Sequence, residues 1–251
     1  MTRRARLDAE LLRRGLVASR SEASVLIDEK RVLVNGAIAD KSSRQVHPGD
    51  SVVVSGPPAR FVSRGGEKLD AALDHWSIDV TELRVLDAGA STGGFTDCLL
   101  QRGAREVVAL DVGHGQLHPL IRNDKRVKVI ERFNVREMTI DDIGGPVDVV
   151  VADLSFISLT FVAARLVDVC REGGEIVVLV KPQFEVGRAE VSKGKGVVTD
   201  PVLWDEACRA VTKAFRAAGA DPIDLMESPL LGGEGNKEFL LRAKVRGRLE
   251  P

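Results

Sequence analysis

A chain of 251 residues, 44% hydrophobic and 29% charged, has room for one small and one medium domain and is too apolar to remain disordered. No apolar run reaches the roughly 18 to 20 residues of a membrane span, and MTRRARLDAELLRR has no apolar signal core behind its charges, which points to a cytoplasmic protein. The formal net charge of -1 hides an asymmetry: residues 1–68 carry 13 of the 36 Lys and Arg against 8 of the 37 Asp and Glu, leaving 23 against 29 for residues 69–251. Such a separation suits a basic front part that meets an anion and an acidic body that does not.

Leu7, Leu11 and Leu12 recur at helical spacing between Arg6 and the stop signal Gly15. Ser19-Arg20-Ser21-Glu22 supplies capping hydroxyls and an early acid for a second helix reaching about Lys30. Val32 to Val34 reads as a strand ending in an Asn35-Gly36 turn, and His47 to Asp50 as a turn into a strand from Ser51 to Val54. This is a small α+β module, residues 1–58. The turn Ser55-Gly56-Pro57-Pro58 ends it, residues 59–64 link, and residues 65–251 form a second domain. There, strands at 84–90, 106–111, 127–131, 147–152 and 175–181 alternate with helical patterns, which predicts an α/β fold with a mostly parallel sheet. Runs at 222–228 and 238–245, with a glycine-rich turn between them, predict an antiparallel pair at its edge. Cys98, Cys170 and Cys208 lie far apart beside apolar segments and read as reduced core residues.

Val85 to Thr96, VLDAGASTGGFT, is a buried strand, a glycine-rich loop and a helix start. Gly89, Gly93 and Gly94 let backbone approach a ligand, Ser91 and Thr92 lie between them, and the first N–H groups of the helix at Phe95 and Thr96 favour an anionic group. Asp111, at the end of the next strand, is placed to accept bonds from both ribose hydroxyls of an adenosine cofactor, which fits NAD or S-adenosylmethionine. Two features favour the sulfonium cofactor. The loop reads G-A-S-T-G-G instead of G-x-G-x-x-G, and Asp87 before it suits a methionyl ammonium better than a pyrophosphate. Asn134 is a candidate for the adenine edge.

Asp153 ends the fourth strand of this domain and Lys181 the fifth, at the carboxyl ends where open α/β sheets bind ligands. With Lys68 before the first helix of the domain and Glu238 opening the last strand, four charged residues converge. A ribose hydroxyl needs its proton removed and strict alignment with the methyl donor, and alignment alone contributes about 7 to 11 kcal/mol. Lys181 is the candidate base, Lys68 a second amine to press on it, and Asp153 and Glu238 the groups that orient both. Methylation at a base carbon would want a cysteine nucleophile, and no cysteine stands at a strand end.

SRGGEKL (63–69), LDAGASTGGFTD (86–97), DVGHGQLH (111–118), RFNVRE (132–137), DLSFISL (153–159), KPQFEVGR (181–188) and GNKEF (235–239) span nearly the whole second domain. Together they resemble the TlyA type of ribosomal RNA 2′-O-methyltransferase, historically labelled hemolysin A, with an FtsJ-like catalytic domain. The resemblance implies a Rossmann-like, mostly parallel seven-stranded sheet and S-adenosylmethionine as cofactor. It also implies a Lys-Asp-Lys-Glu tetrad, which falls on Lys68, Asp153, Lys181 and Glu238. Residues 1–60, in RLDAELLRRGLVASRSEA and RVLVNG, resemble the RNA-binding module of ribosomal protein S4. Members methylate cytidine ribose in large-subunit RNA, and those with a longer N-terminus, like MTRRA here, also modify the small subunit and create the modification that capreomycin exploits.

The implied partners are ribosomal RNA and ribosomal subunits, with no membrane and no oligomeric state assigned. By charge, Arg3, Arg4, Arg6, Arg20, Lys41 and Arg64 are the RNA contacts, acting mainly through phosphates. With 4% aromatics and no tyrosine, shape reading of folded RNA is favoured over stacking of single-stranded bases. A catalytically inactive RNA-binding protein is the alternative. A pore-former lacks spanning segments, and a pseudouridine synthase would have no use for the glycine-rich loop. His114 and His118 flank glycines and Pro119, which argues against a metal pair, and the loop 186–200 reads as a substrate lid.

Overall fold

A computed structural model describes residues 4–17, 20–28, 30–56, 59–187, 191–192, 194, 196–232 and 235–247. The chain divides into two compact units, Met1–Ser63 and Arg64–Pro251.

In the first unit, β1 (Ala5–Arg6) leads into α1 (Leu7–Arg13), followed by α2 (Arg20–Asp28), β2 (Val32–Val34), β3 (Ala37–Ile38), β4 (Gln45–Val46) and β5 (Val52–Val54). Leu7 and Leu11, one turn apart on α1, are fully buried with Ala23 and Ile27 of α2 and Val32 and Val34 of β2, while Leu12 faces outward. Gly15 at φ +69° closes α1, as its sequence position predicts. Asn35 and Gly36, both at positive φ, turn β2 into β3, and the Asn35 side chain joins Ser51 N and Asp50. Antiparallel pairing gives one sheet in the order β3-β2-β5 and a separate β1-β4 pair. The sequence reading contained neither that pair nor β3, because two-residue strands carry no periodicity.

The second unit begins with α3 (Gly65–His75) and continues through β6 (Arg84–Ala88), α4 (Gly94–Gln101), β7 (Glu106–Leu110), α5 (Pro119–Arg122), β8 (Val127–Ile130), α6 (Ile140–Ile143) and β9 (Val147–Ala152). It ends with α7 (Ala163–Asp168), β10 (Cys170–Val180), α8 (Pro182–Glu185), α9 (Pro201–Ala217), β11 (Ala220–Glu227) and β12 (Phe239–Val245). The seven-stranded sheet has the order β11-β12-β10-β9-β6-β7-β8, with β12 antiparallel to both neighbours and the other pairings parallel. The last two strands pair as predicted, with β11 the outermost. β10 starts five residues before its predicted start, because the ladder shifts between Cys170 and Glu175. Gly174 sits in that bulge, where a Cβ would lie 2.6 Å from Cys170 Sγ and 2.7 Å from the Asp148 carbonyl, so a glycine that reads as a break is what the strand requires.

Leu86, Val108, Val150, Val178 and Phe215 belong to one core that the helices cover. α9 enters it through Cys208, Val211 and Phe215, at helical spacing, and its start is fixed by Asp200 accepting the Val202 N–H, with Pro201 in the first turn. Cys98, Cys170 and Cys208 are buried thiols, in no disulfide. No helix among the described residues is long and apolar enough to cross a membrane. From β6 the chain runs outward to β7 and β8, then returns on the other side through β9 and β10, so the topological switch point lies between β6 and β9. Replacing Phe215 with alanine is expected to cost about 3 to 5 kcal/mol in denaturant unfolding, whereas Val202→Ala, on the exposed face of the same helix, shifts stability by less than about 0.5 kcal/mol.

Candidate functional site

The loop leaving β6 passes directly beneath the end of β9. Gly89 has φ +87°, and a Cβ there would stand 2.6 Å from the Asp153 carbonyl oxygen, so only glycine permits the approach. Gly93, at φ +95°, is the N-cap of α4, and a Cβ there would meet Leu117 at 2.9 Å. Ser91 is exposed and donates its backbone N–H to Asp111 Oδ2 at 2.8 Å, and the Thr92 carbonyl accepts from His118 N. Asp111 Oδ1 accepts from Gly113 N at 2.6 Å, so each carboxylate oxygen carries one backbone bond and keeps a second lone pair.

Gly94, Phe95 and Thr96 are buried. Phe95 and Thr96 therefore support the loop through their side chains and would face a ligand only through backbone. Asp87 is wholly buried: Oδ2 accepts from Thr96 Oγ1 at 2.6 Å, and Oδ1 has no partner. Burial raises this carboxyl to about 7, with the Asp153 and Asp111 charges adding to the rise and the Thr96 hydrogen bond opposing it. Asn134 is exposed, and its side-chain carbonyl caps the short turn Val135–Glu137 by accepting from Arg136 N.

Lys68, in the first turn of α3, is 8% exposed, and its Nζ lies 2.5 Å from Glu238 Oε2. Glu238 precedes β12 and is itself buried; a Cβ at Gly232 would collide with its Oε1 at 1.9 Å. Lys181, where β10 ends, places Nζ 2.5 Å from Asp153 Oδ1, a charge contact without hydrogen-bond alignment, and donates to Ser155 Oγ at 2.9 Å. Strand register brings these residues together: Val180 faces Phe239, so Lys181 and Glu238 are the next positions on adjacent strands, and Asp153 follows Ala152, which faces Val178. Each amine contacts a carboxylate, because a buried ammonium without a counter-ion costs more than the fold can offset.

Sequence reasoning missed the residues around this tetrad. Ser155 holds Lys181, and Phe156, at φ +65° and 92% exposed, stands with its ring 5.3 Å from that of Phe184. Glu185 accepts from Ser158 Oγ at 2.5 Å and Leu159 N at 2.8 Å, tying DLSFISL to KPQFE, and burial holds its carboxyl above the usual range. Arg102 at the end of α4 binds Asp70 and Asp74 of α3, at 2.5 and 2.6 Å. The available signal was a phenylalanine in a loop that leaves a strand end beside a charged residue.

Among the basic candidates, Arg4, Lys41 and Arg64 are exposed, Arg6 and Arg20 both bind Asp8, and Arg3 lies outside the described residues. Arg64 begins the second unit, not the first. His114 binds Glu131 at 2.8 Å, and His118 Nδ1 accepts from Leu120 N. Of the 186–200 loop, residues 188–190, 193 and 195 lie outside the described residues. The loop's end is rooted by Asn236, which accepts from Val198 N at 2.9 Å and donates to the Gly196 carbonyl at 3.0 Å.

This geometry has counterparts in known proteins. The family of FtsJ-like methyltransferases matches residues 61–245, and the S4 domain matches residues 5–52. The 16S/23S rRNA (cytidine-2′-O)-methyltransferase TlyA of Mycobacterium tuberculosis is 50% identical over 242 residues, covering 96% of this chain and 90% of that protein. The chain belongs to the TlyA-type FtsJ-like methyltransferases. Its relatives include the 23S rRNA (cytidine-2′-O)-methyltransferase TlyA of Campylobacter jejuni, 31% identical over 88% of this chain and 92% of that one. A Streptococcus thermophilus protein assigned by name to the hemolysins has a solved structure that matches with a TM-score of 0.78 at 36% identity, over 98% of this chain and 90% of that one. Glu238→Ala in this FtsJ-like domain leaves the Lys68 ammonium buried and alone, and is expected to cost about 3 to 5 kcal/mol in chemical unfolding. Glu238→Gln, which retains a hydrogen-bond acceptor, should cost less.

Proposed function

We propose that the protein methylates the 2′-hydroxyl of a cytidine ribose in ribosomal RNA, with S-adenosylmethionine as donor, and that its S4 module holds the RNA. Residues 1–58 are then the RNA-binding module, 59–64 the link and 65–251 the catalytic domain, working in the cytoplasm where ribosomes are. The observation that carries this reading is the pair of buried contacts Lys68–Glu238 and Lys181–Asp153 at the strand tips, beside the Gly89 loop. Both subunits are the expected substrates, since the relative at 50% identity is named for 16S and 23S RNA.

S-adenosylmethionine, when bound, supplies a methyl group on a positively charged sulfur. The residues present fit it: the unpartnered Asp87 Oδ1 suits its ammonium, the close approach at Gly89 leaves backbone free of side chain, and Asp111 keeps acceptor capacity for ribose hydroxyls. Ser91, Thr92, Gly93 and Gly94 form the cradle, and Asn134 remains the candidate for the adenine edge. Lys181 is the group to hold and move the acceptor hydroxyl's proton, oriented by Asp153 and Ser155, while Glu238 holds Lys68. The exposed ring of Phe156 offers a stacking face to the acceptor base, worth about 1 to 3 kcal/mol.

Lys181→Ala should lower transfer of labelled methyl to ribosomal RNA by about a hundredfold or more while calorimetry finds the donor still bound; normal turnover in that variant would remove Lys181 as the base. The Asp87 carboxyl, near 7 in the unliganded protein, must lose its proton to meet an ammonium. Donor affinity should therefore fall as pH drops below about 7, by up to about tenfold per pH unit, and the dependence should vanish in Asp87→Asn. The same shift opposes the unliganded fold. A carboxyl raised from 3.8 to about 7 binds its proton more tightly when folded, so the stability it contributes is present at low pH and lost as pH rises through that window.

A further inference from the structure

The front module carries an acid where a polyanion is expected. Asp8, in the first turn of α1, is 4% exposed. Arg6 grips it with a two-pronged contact, Nε to Oδ1 at 3.1 Å and Nη2 to Oδ2 at 3.0 Å, and Arg20 adds Nη2 to Oδ2 at 2.7 Å. The carboxylate also accepts from Ala9 N at 2.8 Å. These bonds, the one from Arg6 first, hold Asp8 well below the usual carboxylate range against the opposing effect of burial. The two arginine side chains remain 47% and 55% exposed. Arg6 ends β1 and Arg20 opens α2, so one buried carboxylate fixes two half-exposed guanidinium groups from separate elements.

An unrestrained arginine has many rotamers, and each one immobilised on binding takes free energy from the complex. We propose that Asp8 is a positioning residue for RNA, holding Arg6 and Arg20 as preset forks for backbone phosphates. The inference rests on the reading of the S4 module as the RNA holder and adds to it a role for an acid. Charge alone gives the opposite expectation: Asp8→Asn makes the module more basic, which should tighten binding and steepen its salt dependence. Positioning gives weaker binding from a more positive protein.

The test is filter binding of the full chain to a 23S ribosomal RNA transcript across about 50 to 200 mM salt. Asp8→Asn is expected to bind about fivefold or more weakly, with a slope of log affinity against log salt no steeper than the parent. Unchanged or tighter binding, or a steeper slope, overturns the proposal. Arg20→Lys keeps the charge at a half-exposed position and leaves the core untouched, so it decides the matter even if Asp8→Asn disturbs folding. It should lose about threefold with an unchanged slope, because an ammonium cannot span carboxylate and phosphate as a planar fork does, and parent-like affinity overturns the proposal. The double variant Arg6→Ala/Arg20→Ala separates the two levels. If it binds as the parent does, the assignment of these arginines to RNA fails and the role of Asp8 falls with it. If it weakens while Asp8→Asn does not, the assignment stands and only the positioning role is overturned.

Discussion

Burying an ammonium group in a protein is tolerable only beside a carboxylate, and the second unit does this twice within one turn of the same strand tips. Lys68 is matched by Glu238, and Lys181 by Asp153. The pairs constrain much of what surrounds them. A side chain at Gly232 would displace the Glu238 carboxylate, and Gly89 cannot carry one because the Asp153 backbone fills the space. β12 must run antiparallel against β10 in the observed register for Glu238 to arrive next to Lys181. A shift of one residue would turn Glu238 to the other face of the sheet and leave Lys68 without its counter-ion.

The same constraint links cofactor loop and tetrad into one arrangement. Asp153 accepts nothing from Lys181 in hydrogen-bond geometry, yet its backbone N–H is bonded to the Ala88 carbonyl at the end of β6. The residue that orients the amine is thereby fixed to the strand that launches the glycine-rich loop. Arg102 ties α3, which carries Lys68, to the far end of α4, whose first turn forms the cradle. Relative placement of donor and acceptor groups thus depends on short backbone and ion-pair links between adjacent elements, the kind of fixed geometry from which in-line transfer draws its rate.

Much of this was legible in the residue order. Val149 to Ala152 and Val85 to Leu86 are apolar on both faces, so their burial in a parallel sheet followed from composition, and polar residues at or just past the strand ends marked the reactive edge. Asp153, Lys181 and Glu238 were found because each ends or begins a strand, and Lys68 because it stands at the start of the first helix of its domain. What stayed hidden depended on partners distant in sequence. Which carboxylate Lys68 meets is decided by a contact across 170 positions, which no local pattern encodes. Ser155 and Phe156 were overlooked because a loop of small and apolar residues resembles any other loop until Lys181 and Phe184 are seen beside it. β1 and β4 escaped because two residues are too few to show a period, and the start of β10 because Gly173 and Gly174 read as a break.

The front module follows a parallel logic, with acids placed inside so that bases can stand outside. Glu10 engages Arg13 and Arg14 at 2.6 and 2.7 Å much as Asp8 engages Arg6 and Arg20. Its surface is therefore more basic than a count of charges suggests. The account as a whole requires that the methyl group end on a ribose oxygen, and the chemistry of RNA provides a direct reading. Ribosomal RNA labelled by the enzyme with a radioactive methyl donor is digested with alkali, which cleaves wherever a free 2′-hydroxyl is present. The account predicts that the label is recovered in an alkali-resistant dinucleotide beginning with cytidine; label recovered in mononucleotides would place the methyl on a base and contradict it.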